Sequence, residues 1–403
     1  MKIVWICNVE LPVVSELRNV KVNPIGGWLD EVSRKILENG HELLILYRSS
    51  VETSGTNNNL KYMGFINAAY VEKALISFLP DIVHIWGTEY IHSLQITKIC
   101  QKHNLINRTV ISIQGLVFIY GKYHFYANLP LKIIYGFSLR DLLRLDNVYY
   151  ERKQFLKRGE YEKECISNIT NVIGRTVWDK TCVKQINNNI NYFNCNETLR
   201  KTFYQEQWDI KHCDKYTIFF SQCHYPIKGF HMALEAFRIL KKKYSNIKIF
   251  TVGVDIFSIP FYKRTYYQKY LMNLIIKYDL KKNIIFCGQL SAQEMKKRYL
   301  KCNVFISSSS IENSSNSIGE AMLVGCPIVA SYVGGIRNLL NDEDGYIYPF
   351  DEPYMLAQYI DNIFSSDNLA IKFSNNSRKH AQITHDPEKN YYRLFEIYNQ
   401  ISK

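Results

Sequence analysis

Along the chain, short apolar runs alternate with stretches of helical period and polar turns, the pattern of an α/β protein. Lys2–Cys7 (KIVWIC) is apolar on both faces and predicts a buried parallel strand. After a loop and Gly26-Gly27, the residues Leu29, Val32, Ile36 and Leu37 recur at helical spacing as far as Gly40. Glu42–Leu46 then predicts a second strand. Asp81–Tyr90 predicts a strand, a turn and a helix start, and Thr109–Gly115 a further strand. Asn171–Lys180 predicts strand, turn and helix, with Thr176 or Asp179 as cap. The polar segment Gln205–Lys215 marks a boundary. Beyond it the alternation restarts, with strands at Tyr216–Gln222, Ile247–Gly253, Asn283–Ser291, Val304–Ile306 and Cys326–Ser331, and helices from His231 and up to Leu280. Tyr354–Lys403 is helical by pattern.

The stretch Ser307–Gly335 (SSSSIENSSNSIGEAMLVGCPIVASYVGG) carries the candidate chemistry. Glu312 and Glu320 are separated by seven residues. Ser315, Asn316 and Ser317 can cap a helix that starts about there, with Ile318, Ala321 and Met322 on its apolar face. Strand, polar loop and helix N-terminus together aim backbone N–H groups and the positive end of a helix dipole at the loop, which favours a phosphate. Glu312 at the strand exit and Glu320 one to two turns into the helix can accept hydrogen bonds from the hydroxyls of a ribose or hexose. Strand, Ser-rich loop and helix occur in many α/β domains, so this spacing alone does not name a ligand.

Composition narrows the classes. A chain of 403 residues with 47% apolar and 22% charged residues is long enough for two or three globular domains. The formal net charge of +13 points to anionic partners: nucleotide phosphates, lipid headgroups or nucleic acid. The basic residues are dispersed and no RRM, KH or zinc-finger signature occurs, so no nucleic-acid partner is expected. The N-terminal apolar run reads as a first strand and not a signal peptide, and no stretch approaches the roughly 18 apolar residues of a membrane span. Ten cysteines lie scattered without a C-x-x-C pair, which gives no disulfide framework or zinc ribbon and makes the cytoplasm the expected compartment. There is no P-loop and no nucleophile elbow. Between Tyr120 and Glu160, aromatics such as Tyr123, Phe125 and Tyr135 mix with Lys122, Lys132, Arg140 and Arg144. Pro130–Leu145 predicts an amphipathic helix, suited to an anionic membrane face or a lipid-linked acceptor, or to a core-facing helix with a solvated basic side.

The string from Glu312 to Gly335 resembles the E-x7-E region of retaining GT-B glycosyltransferases of the family 4 type (glycosyl transferases group 1). Glu312, Glu320, Ala321, Met322, Gly325, Pro327, Val329, Ala330, Ser331, Gly334 and Gly335 fall in register with it. Weaker similarities are the strand–Gly-Gly–helix–Gly-His–strand opening, Lys228-Gly229 against G-R-L-x-x-x-K-G, and Asn283–Gly288 against N-V-x-F-x-G. The resemblance implies two Rossmann-like domains with parallel sheets facing a central cleft. It places an acceptor-side domain at 1–207, joined by a C-terminal helix at 386–403, and a nucleotide-sugar domain at 208–385. It implies that Lys228 pairs with the donor diphosphate, Glu312 orients sugar hydroxyls and Glu320 accepts from the ribose. Gly26, Gly27 and the N–H groups of Asn316, Ser317 and Ile318 would approach phosphate or sugar. Gln114 would line the sugar site where the family commonly has histidine, and His84 is expected to be a packed strand-end residue. The usual Arg of the G-R-L motif is absent, with Ser221-Gln222 in its place; Arg175 could supply the cation, or could serve a structural salt bridge. Asn313-Ser314-Ser315 replaces the usual aromatic-Gly.

The implied activity is metal-independent transfer of a hexose, with retention, from a UDP- or GDP-linked sugar and without a further cofactor. Asp342–Asp344, superficially like a metal-binding D-x-D, is expected to be a turn. The acceptor would be a glycan, in particular a lipid-linked saccharide of surface polysaccharide assembly, with peripheral contact to the inner face of the cell membrane. Rival readings are a nucleotide-sugar 2-epimerase of the same fold and a non-catalytic glycosyltransferase-like partner protein.

Overall fold

The computed structural model describes residues 1–22 and 26–402; of the expected C-terminal tail, only Lys403 lies outside the described residues. The chain forms two compact units. One comprises Met1–Phe118, Lys157–Lys201 and the segment from Thr384 onward; the other comprises Ile119–Leu156 and Thr202–Ile383.

The first unit is built on an eight-stranded sheet. Its strands are β1 (Lys2–Cys7), β2 (Glu42–Arg48), β3 (Thr53–Asn57), β4 (Leu60–Phe65), β5 (Ile82–Trp86), β6 (Thr109–Ser112), β7 (Asn171–Gly174) and β8 (Asn191–Asn194), in the order β3-β4-β2-β1-β5-β6-β7-β8. All neighbours are parallel except β3 and β4, a hairpin turned at Asn58 (φ 50°). That hairpin was not expected: β3 is a polar edge strand without alternation. The central strands are buried on both faces, as their unbroken apolar runs require. The Pro387–Ile401 helix closes this core, where Tyr398 Oη accepts from Trp5 Nε1 at 3.1 Å and meets His84 Nδ1 at 2.6 Å.

In the second unit β9 (Thr217–Phe220), β10 (Lys248–Thr251), β11 (Ile284–Phe286), β12 (Val304–Ser307), β13 (Ile328–Ser331) and β14 (Tyr346–Tyr348) form a wholly parallel sheet, β11-β10-β9-β12-β13-β14. The strand order reverses between β9 and β12, and ligands of open parallel sheets bind beyond the strand ends at such a reversal.

Two expectations differ from the structure. The 119–156 segment, expected within the first domain, packs with the second unit, and the main crossover falls at 201/202 instead of 207/208. The anchors are polar and specific: His231 Nε2 lies 2.7 Å from the Ala127 carbonyl, Ser310 Oγ donates to the His124 carbonyl (3.0 Å) and Tyr266 N donates to Asp141 Oδ2 (2.7 Å). The single amphipathic helix expected over Pro130–Leu145 is two short ones, Leu131–Tyr135 and Leu139–Arg144. The backbone extends at Gly136 (φ −72°, ψ 156°), and Ser138 restarts the helix by exchanging hydrogen bonds with Asp141.

Candidate functional site

Two loops leave adjacent strand ends at the reversal in the second unit. After β9 the chain makes one tight turn at Pro226–Lys228, passes through Gly229 and enters the Phe230–Lys243 helix. After β12 it runs through the four serines to Glu312. The loops are laced together: Ser310 N donates to the Ile227 carbonyl (2.8 Å), and Ser308 Oγ to the Gly229 carbonyl (3.0 Å). Gly229 is left-handed (φ 68°), and a Cβ there would lie 1.8 Å from the Ser308 carbonyl oxygen, so no other residue fits without moving that backbone.

This lacing fixes Lys228 beside Glu312. Lys228 Nζ donates to Glu312 Oε1 at 2.6 Å, and Ser309 Oγ donates to the same oxygen at 2.7 Å. The backbone of Glu312 is held in turn by Gly335 N, which donates to its carbonyl at 2.9 Å. Gly334 permits that approach, since a Cβ there would lie 2.0 Å from the same carbonyl oxygen. Lys228 keeps more exposure than its partner, 27% against 13%, so the ammonium can be shared with an incoming anion while the carboxylate stays fixed.

The Asn316–Val324 helix begins where the capping residues predicted. Ser315 is the N-cap, yet its side chain caps no backbone N–H; its Oγ meets Ser317 Oγ at 3.0 Å. Ile318 N is engaged by the Ser315 carbonyl (3.1 Å), which leaves Asn316 and Ser317, in the first turn, as the better-placed N–H donors. Glu320 lies in the second turn of this helix and is buried. Lys228, Glu312, Asn316, Ser317, Ile318 and Glu320 therefore all belong to the second unit, on the two loops and the helix that flank the β9–β12 reversal.

The other expected site residues are in the first unit. Gly26 (φ 89°) and Gly27 form the turn into the Asp30–Glu38 helix, their carbonyls accepting from Leu29 N (3.0 Å) and Asp30 N (3.4 Å). Gln114 and Arg175 meet each other, at the ends of β6 and β7. Arg175 is buried in an ion pair with Glu197 and also donates to the Ile113 carbonyl (3.2 Å) and to Gln114 Oε1 (3.4 Å). Gln114 Nε2 donates to Glu197 Oε1 at 3.1 Å. Of the two roles expected for Arg175, the structural salt bridge is the one formed within this unit. These residues line a cavity of about 30 Å³ with Trp28 and Trp86, space for roughly one water. His84 is fully buried between Tyr398 and Ser112 Oγ (2.7 Å from Nε2), and burial pushes its pKa well down, so it stays neutral.

Sequence reasoning passed over Ser309 and His224. Counted back from Lys228-Gly229 through the G-R-L-x-x-x-K-G spacing, the missing cation's position is Cys223, not Ser221-Gln222; its thiol is buried and directed at the Val252 carbonyl (3.7 Å). Next to it, both ring nitrogens of His224 are buried without a hydrogen-bond partner among the described residues, and burial lowers its pKa. The acidic turn is satisfied locally: Asp342 pairs with Arg337 (2.8 Å) and Asp344 with His380 (2.6 Å).

Residues 201–380 match the family model of glycosyl transferases group 1. Among curated proteins, YtcC of Bacillus subtilis (strain 168), named as a glycosyltransferase, is 26% identical over 206 residues, which is 50% of this chain and 49% of YtcC. The matched region thus spans about half the length of that relative. Among solved structures, sucrose-phosphate synthase from Thermosynechococcus elongatus aligns over 100% of this chain and 99% of its own, with a TM-score of 0.71 and 14% identity. HepE of Anabaena, solved with UDP-glucose, aligns over 99% and 100% with a TM-score of 0.70 and 14% identity. At these identities the likeness is one of fold: the chain adopts the GT-B architecture, two units each built on a largely parallel sheet.

Proposed function

We propose that this protein is a retaining glycosyltransferase that moves a hexose from a nucleotide sugar to a hydroxyl of a glycan acceptor, in particular a lipid-linked saccharide of surface polysaccharide assembly. The observation that carries the reading is the Lys228–Glu312 pair, set by interlocked loops at the sheet reversal beside the open N-terminus of the Asn316–Val324 helix. A donor diphosphate there would meet the Lys228 ammonium and the Asn316 and Ser317 N–H groups, all of which stabilise charge growing on the leaving group. Glu312, freed from part of its hold on Lys228, accepts from sugar hydroxyls, and Glu320 accepts from the ribose. The diphosphate itself then assists deprotonation of the acceptor, so no protein nucleophile and no metal ion enter the reaction. Binding of UDP-glucose by HepE, a structure of the same fold, favours a uridine diphosphate sugar over a GDP-linked one.

Thermal stabilisation by a panel of UDP-, GDP-, ADP- and TDP-sugars tests this. A donor at about 100 times its dissociation constant adds roughly 2.7 kcal/mol of apparent stability. The expected result is a shift with one nucleotide sugar that is lost in Lys228→Ala and Glu320→Ala. A shift that survives in both variants places the donor elsewhere, and release of free sugar or epimer without acceptor would indicate a 2-epimerase instead.

A further inference from the structure

The two short helices at 131–135 and 139–144 carry a face that the glycosyl-transfer reading does not use. Leu131, Phe137, Leu139, Leu142, Leu143 and Phe261 are each more than half exposed, Leu143 at 78%. They are contributed by neighbouring elements: the second helix packs beside the Phe261–Lys263 turn, and the Tyr266 N–Asp141 bond ties the two together. Leu139, Leu142 and Leu143, at i, i+3 and i+4 of one helix, share a face beside Phe261, and exposed apolar side chains so grouped mark an interaction site.

The charge around that surface has one sign. Lys132, Arg144 and Lys263 are exposed and have no carboxylate partner among the described residues. The carboxylates nearby are committed. Asp141 is buried and accepts from Ser138 N and Tyr266 N, and Asp146 pairs with Arg140 at 2.9 Å. Burial, then Asp146 and Asp141, push the Glu151 carboxyl up to about 7. Exposed leucines, interfacial aromatics and unpaired cations on short helices are the composition of a surface that lies in a bilayer interface, while no helix among the described residues is long and apolar enough to cross a membrane.

We propose that this face, Leu131–Leu145 with the Phe261–Lys263 turn, docks on an anionic lipid bilayer, with the leucines and Phe261 entering the interface and Lys132, Arg144 and Lys263 meeting headgroup phosphates. Its occupant is a lipid surface and not a nucleic acid, because four of its six exposed apolar side chains are leucines, which offer a base no ring to stack on.

Co-sedimentation of the full chain with phosphatidylglycerol/phosphatidylcholine vesicles, and with phosphatidylcholine alone, tests the inference. Binding is expected only to the anionic vesicles and should weaken as salt is raised. The double change Leu142→Asp with Leu143→Asp should lower it at least tenfold. Lys132→Gln with Arg144→Gln should lower it by about tenfold to thirtyfold at low salt. The proposal is overturned if the wild type ignores anionic vesicles at low salt, or if the leucine variant binds them as well as wild type. It is also overturned if sedimentation velocity shows a dimer that the leucine variant dissolves while vesicles go unbound, since the face then serves self-association. Nucleotide-sugar stabilisation measured on the same variants should be unchanged. Wild-type vesicle binding without any nucleotide-sugar shift would remove the glycosyltransferase reading and leave the surface standing.

Discussion

Lys228 illustrates how one side chain depends on a glycine that never touches a ligand. Its ammonium reaches Glu312 only because Gly229 lets the preceding turn lie against Ser308. Gly229→Ala should combine the cost of a left-handed alanine, about 1–2 kcal/mol, with displacement of the Ser308 backbone, for a total above about 2 kcal/mol in a denaturant titration. Equal stability of that variant and wild type would show that the loops are not locked as described. Lys228→Ala should leave stability closer to wild type, because the pair is only partly buried, yet weaken the nucleotide sugar by tenfold or more, about 1.4 kcal/mol, in a titration. At this scale the motif residues were legible by spacing. Arg175 was not resolved: its partner Glu197 lies 22 positions on, in a segment (NCNETLRK) with no pattern of its own.

At the scale of elements, caps were legible and long-range docking was not. Thr176 and Asp179 exchange the hydrogen bonds that their spacing predicts. The 119–156 segment, by contrast, is held by His231, whose imidazole bridges the Ala127 carbonyl and Tyr267 Oη (3.1 Å). Burial lowers its pKa to about 4, with the Ala127 bond opposing. Above the ordinary histidine range the imidazole is neutral whether the chain is folded or unfolded, so stability is independent of this group. As pH falls from about 6.5 towards 4 the unfolded chain takes up the proton first, and stability drops by on the order of 3 kcal/mol. Protection factors of the Phe125–Tyr135 amides, taken relative to the intrinsic exchange rate at each pH, should therefore fall between about pH 7 and pH 5, and His231→Gln should flatten that dependence. Protection factors that are unchanged by acid would show that the segment does not depend on His231.

For the whole molecule, the consequence is a second unit made from two separate stretches of chain. A fragment of residues 202–383 alone lacks the 119–156 segment and would expose His231, Ser310 and Tyr266, which that segment covers. It should aggregate or unfold with a broad transition by circular dichroism, whereas joining 119–156 to it through a flexible linker should restore a cooperative one. Cooperative unfolding of the short fragment would show the segment to be a dispensable attachment.

Local pattern was enough to determine the α/β class, most strand positions, the helix start at Asn316 and the residues flanking the second sheet's reversal. Each of these depends on neighbours a few positions apart: apolar runs buried on both faces, capping side chains, glycines in tight turns. Only the tertiary structure decided that Arg175 is paired within the first unit, that 119–156 belongs with the second, that Pro130–Leu145 is two helices, and which leucines remain outside. The pairing of Arg175 and the docking of 119–156 rest on contacts between positions 22 to 186 residues apart. Strand spacing and helix period carry no information about which distant carbonyl or carboxylate will satisfy a buried donor.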